Sequence, residues 1–155
     1  MRKRIKDLAW KVGVDKPELF ALSEKLVSDE NRFYKSWEKT KTDEAGNPRI
    51  EKGNILKREI SAPCFNLKHV QRQLLHKALS SIEMPHIFFG GIKGSDAVKN
   101  ARHHQGNKYF FKTDLKDFYP SISYKQVETA LRAEGFYPDV SRLITRLCTA
   151  KGALP

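Results

Sequence analysis

Apolar residues return at helical spacing over residues 3–28, where Leu8, Val12, Leu19, Leu22 and Leu26 supply one face. The stretch "VGVDKPEL" interrupts that pattern, and Asp15 followed by Pro17 and Glu18 reads as the cap and first turn of a second helix. Two short helices around a glycine fit a helical support for the next lobe, or a helix-turn-helix. Residues 31–62 change period. "NRFYKSWEKTKT" is aromatic and mixed, "DEAGNPR" is a turn cluster, and "NILKREISAP" alternates. The pattern predicts a β-hairpin or small sheet with a flexible tip near Gly46–Asn47. Residues 66–82 predict a helix capped by Asn66, with Leu67, Val70, Leu74, Ala78 and Ile82 on one face, widened by Leu75 and Leu79. Met84–Gly94 reads as loop. Ser95 is placed to cap a short helix through Gln105, which Gly106 ends. "NKYFFKTDL" then predicts a strand with Phe110, Lys112 and Asp114 on one side, stopped by Pro120. Ser123 caps a helix to about Ala133, and Asp139 or Ser141 opens another with Val140, Leu143, Ile144 and Leu147 inward.

The charge pattern narrows the partners. The 155 residues carry a formal net charge of +11, unevenly spread. Residues 1–60 hold 15 Lys/Arg and 11 Asp/Glu, residues 61–113 hold 8 and 2, and residues 114–155 hold 6 and 5. A cationic, nearly acid-free middle stretch suits a phosphate backbone, and it also suits an ordinary basic surface. Lys68, Arg72 and His76 recur every fourth residue of the predicted helix, as a strand-tracking stripe or a solvated face. Adjacent His103 and His104 do not converge on one metal from a helix, so a zinc site is not expected. No apolar run is long enough to span a membrane. Cys64 and Cys148 have no metal or redox spacing, which fits reduced thiols in a cytoplasmic protein.

Asp114 and Asp117 stand out at the end of the predicted strand. A carboxylate there is pre-placed, as a metal ligand must be, and hard divalent cations take carboxylate and carbonyl oxygens. Two such metals can clamp the attacking and leaving oxygens of a phosphoryl displacement. One aspartate cannot hold two metals, and residues 121–155 offer no second acidic strand end. D-x-x-D alone also describes a turn or helix cap.

Four blocks in order resemble reverse transcriptases, in the branch that contains retron and group II intron enzymes. "YFFKTDLKDFYPSIS" resembles that family's motif A. "REISAPCFNLKHVQRQLLHKAL" resembles its first block, "HIFFGGIKGSDAVKNARHHQGNKYFF" its second, and "KGALP" the opening of motif B. The resemblance covers residues 32–155 and implies an α+β chain with part of a right-hand polymerase fold. Residues 1–31 would be an N-terminal helical segment, 32–106 fingers, and 107–155 a partial palm whose sheet begins near Asn107. It implies Asp114 as the catalytic metal ligand, with the Leu115 carbonyl facing a second metal. The cofactor would be Mg2+, with Mn2+ as an alternative. Arg58 would contact the triphosphate. Phe118 and Tyr119 would lie under the incoming nucleotide, Tyr119 crowding a ribose 2′-hydroxyl. Lys68, Arg72, Lys99 and Arg102 would contact nucleic acid. Gln71, Asn100 and His104 match the blocks as template contacts or packing residues, and Asp117 is expected to cap rather than ligate. Implied partners are an RNA template, a primer–template, dNTPs and a cognate structured non-coding RNA, and many relatives act in antiviral defence. The aromatic–x–Asp–Asp motif is absent, so the chain is expected to be an N-terminal part, inactive alone. The alternative is a non-catalytic RNA-binding module.

Overall fold

The computed structural model describes residues 5–29 and 32–155. The start of the first predicted helix, at residues 3 and 4, and the boundary at residue 31 lie outside them. The chain is α+β: helices hold most of the core, and the described strands form two small antiparallel ribbons.

Helices α1 (Ile5–Val12) and α2 (Lys16–Ser28) flank Gly13, whose φ of +72° lets the chain reverse without strain. Asp15 stands at the cap position of α2, although its side chain makes no capping hydrogen bond. Strand β1 (Tyr34–Thr40) pairs with β4 (Lys57–Pro63) in antiparallel register, Tyr34 opposite Pro63 and Thr40 opposite Lys57. Between them, β2 (Ile50–Glu51) and β3 (Asn54–Ile55) form a second small ribbon. The predicted tip is ordered by its own chemistry. The Asp43 carboxylate accepts the Asn47 N–H at 2.8 Å, and Gly46 takes a φ of +87°.

Helix α3 (Phe65–Gln73) runs on as a π-helical turn over Leu74–Leu79. It starts one residue earlier than the sequence suggests, with Cys64 rather than Asn66 at the cap. Leu67, Val70, Leu74 and Ala78 are buried as the periodicity predicts, but Leu75 is exposed. Leu75 follows Leu74 and so points about 100° away from the buried row, while the i→i+5 turn rotates later residues back and brings Leu79 half into the core. Helix α4 (Ala97–His103) is capped by Asp96, not Ser95: the Asp96 carboxylate accepts the Lys99 N–H at 2.7 Å.

The predicted strand at 107–114 does not form; the stretch is irregular and exposed. Its backbone groups find no neighbouring strand among the described residues, and a strand without a ladder has nothing to hold it extended. Pro120 therefore ends no strand. It sits inside the single turn α5 (Phe118–Ser121). Helix α6 (Tyr124–Ala133) opens on a full capping box, Ser123 with Gln126. Helix α7 (Pro138–Cys148) starts at Pro138 with Tyr137 at the cap, and Asp139 falls in its first turn.

The core is shared by α1 (Leu8, Val12), α2 (Leu19, Leu26), α3 (Leu67, Val70) and α7 (Val140, Leu143, Ile144, Leu147). Cys148 packs against it, and burial pushes its thiol from 9.0 up to about 12.

Candidate active site

Asp114 lies on the exposed stretch between α4 and α5 and makes no ion pair among the described residues. It is neither locked to a guanidinium nor placed by a sheet. Aromatics around it face solvent: Tyr109 is 92% and Phe111 93% exposed, and Leu115 is exposed too. The following residues are better held. Asp117 has a left-handed φ of +50°, and its carbonyl accepts the Ser121 N–H at 3.0 Å. It occupies the cap position of α5, but its carboxylate makes no capping bond, so the backbone and not the side chain forms this turn. The Phe118 and Tyr119 rings meet edge to face at 5.4 Å, both exposed.

Arg58 is exposed on β4, directly opposite Lys39. Like charges facing each other across a ladder destabilise it, and a bound anion would relieve that. On the other face, Glu38 and Glu59 also oppose each other, but each has a cation: Lys57 at 2.9 Å and Lys151 at 2.9 Å. Among the described residues, Arg58 and Lys39 have no such counter-ion.

Lys68 and Arg72 are exposed one turn apart on α3. Arg102 is exposed on α4, and the Lys99 ammonium donates to the Gly94 carbonyl, folding the preceding loop onto the helix. His104 meets His103 at 5.3 Å and Phe110 at 6.4 Å, so its ring joins an exposed aromatic row. Among the described residues, no group of three or more His, Cys, Asp or Glu is arranged to hold a metal ion. Nor is any helix among them long and apolar enough to cross a membrane.

Gln71 has a role that periodicity did not reveal. Its side-chain amide donates to the Tyr34 hydroxyl at 3.1 Å and to the Leu147 carbonyl at 2.8 Å. That makes it an internal tie. The block match marks Gln71 as a template contact or a packing residue, and its two internal hydrogen bonds are of the packing kind.

No family model matches the chain. Comparison with curated proteins does find relatives. The chain is 33% identical to the retron Se72 reverse transcriptase of Salmonella heidelberg (strain 579083-10), over 69% of this chain and 29% of the relative. It is 34% identical to the retron Mx162 reverse transcriptase of Myxococcus xanthus, over 64% of this chain and 21% of the relative. With the retron Ec86 reverse transcriptase of Escherichia coli it shares 29% identity, over 63% of this chain and 31% of the relative. These matches place the chain among the reverse transcriptases. Within that class its relatives are retron enzymes, and the matched region spans between 21% and 31% of their length.

Proposed function

We propose that the chain supplies the fingers and the first palm segment of an RNA-directed DNA polymerase with the right-hand fold. The observation that carries this is the set of four sequence blocks in order, together with the similarity to retron enzymes. In this reading the primer 3′-hydroxyl attacks the α-phosphate of a dNTP and pyrophosphate leaves. Asp114 is the catalytic carboxylate. Its oxygens and the Leu115 carbonyl fit a hard divalent ion such as Mg2+, with Mn2+ as a substitute, as two of the several oxygen donors such an ion takes. When bound, the ion neutralises charge on the reacting phosphate.

The chain's own residues then do the positioning. Arg58, facing an uncompensated Lys39, holds the triphosphate. The Phe118 and Tyr119 rings lie under the nucleotide, and Tyr119 rejects a 2′-hydroxyl by sterics. Lys68, Arg72, Lys99 and Arg102 hold template–primer through phosphates and shape, with little base readout. A structured non-coding RNA would serve as partner and template, in the cytoplasm, within an antiviral defence system. Residues 1–155 alone hold only part of the metal ligand set and do not extend a primer.

The test is the reading frame downstream of Pro155 and the activity of its product. Gln-Gly directly after Pro155, then an aromatic–x–Asp–Asp and Mg2+-dependent extension of a primer on RNA, support the polymerase. A stop codon after Pro155, with RNA binding retained, would instead support a non-catalytic RNA-binding module, which the same cationic stretch would serve.

A further inference from the structure

Leu147 lies in the last turn of α7, where helix carbonyls lack partners within the helix. The Gln71 amide satisfies its carbonyl and also holds the Tyr34 hydroxyl, joining β1, α3 and the end of α7. Beyond α7 the chain turns sharply. Ala150 and Ala153 exchange hydrogen bonds at 2.8 and 3.0 Å. The Gly152 carbonyl accepts the Tyr124 N–H at 2.8 Å, and the Leu154 N–H donates to the Ile122 carbonyl at 3.0 Å. Lys151, at the tip with a φ of +50°, reaches Glu59 on β4 at 2.9 Å. The turn over 150–154 is therefore held from three sides. Glu59 is the neighbour of Arg58, and Ile122 directly follows the turn that carries Phe118 and Tyr119.

We propose that Gln71 and the Glu59–Lys151 ion pair are positioning elements, which clasp the 150–154 turn and through it set the Asp114–Tyr119 segment against Arg58. The clasp stands on geometry alone, and its catalytic meaning rests on the polymerase reading. Two features favour positioning over simple stabilisation. The ion pair is exposed at both ends, where such pairs contribute little to stability, yet it joins residues 92 apart in sequence. Gln71 fixes a helix-end carbonyl, so losing it frees the exit of α7 rather than opening an apolar void.

Amide hydrogen exchange on residues 1–155 tests the clasp, using Gln71→Met, Lys151→Met and the charge swap Glu59→Lys with Lys151→Glu. The Tyr124, Ala153 and Leu154 amides should exchange about five- to tenfold faster in Gln71→Met. In Lys151→Met they should exchange about two- to fivefold faster, and the swap should restore protection. Amides within α2 should keep their rates in Lys151→Met, an exposed change that leaves the fold intact even if Gln71→Met does not. Unchanged rates at Tyr124 and Leu154 in Lys151→Met, or failure of the swap to restore them, would overturn the clasp. In the product of the complete reading frame, Lys151→Met should raise the KM for dNTP several-fold with little change in kcat, again rescued by the swap. A loosened clasp with unchanged KM would overturn the positioning role and leave the polymerase reading intact. A wild-type product that does not extend a primer would remove the catalytic meaning and leave the exchange result standing.

Discussion

Two adjacent leucines give the sharpest test of the fold. Leu74 opens the π turn and is 0% exposed, whereas Leu75 is 55% exposed. Replacing Leu74 with Ala removes three buried carbons, about 2.4 kcal/mol at about 0.8 kcal/mol per buried methylene. The void left in a packed core adds to this, giving a loss of about 3–4 kcal/mol. Leu75→Ala removes carbons that water already reaches, so its loss should stay below about 1 kcal/mol. Urea unfolding followed by circular dichroism separates the two. With a slope of about 2 kcal/mol per molar, Leu74→Ala should lower the midpoint by about 1.5–2 M and Leu75→Ala by under about 0.5 M. Equal shifts, or a larger one for Leu75→Ala, would refute the burial of Leu74 and the exposure of Leu75.

Three further outcomes are expected. Cys148 should resist thiol labelling until the protein unfolds. Because its folded thiol is raised to about 12 from 9.0, the folded state keeps a proton that the unfolded chain releases; stability from this group is intact below pH 9 and falls as pH rises from 9 to 12. Cys148→Ala should flatten that part of a denaturation-versus-pH profile, and an unchanged slope would contradict the burial. Ser123→Ala breaks the capping box of α6 and should destabilise by about 1 kcal/mol in urea unfolding. In the product of the complete reading frame, the proposed role of Tyr119 predicts that Tyr119→Ala raises ribonucleotide incorporation relative to dNTP in a competition assay, and unchanged selectivity would remove Tyr119 from the proposed sugar site.

The helical core was legible because its signal is local. Leu67, Val70, Leu74 and Ala78 announce their face by spacing alone, and Ser123 announces a cap. The hairpin was legible for the same reason, from the turn cluster between an aromatic, mixed run and an alternating one. The stretch around Asp114 was not. Its alternation predicts a strand, but a strand is made by its neighbours, and the described residues supply none for it. Leu75 lies at the edge of the apolar face, where spacing alone does not say whether a neighbouring element covers it. The Leu147 partner of Gln71 and the pairing of Glu59 with Lys151 are not legible in the sequence, because they join residues 76 and 92 apart. The four-block resemblance carried the functional reading that composition and spacing left open, and the retron relatives bear out the family.

The central claim is tested most directly by replacing Asp114 with Ala in the product of the complete reading frame. Single-turnover primer extension on an RNA template with Mg2+ should fall at least about a thousandfold while RNA binding by filter retention stays within about twofold of wild type. Extension at an undiminished rate, or joint loss of extension and RNA binding, would contradict a catalytic role for this carboxylate.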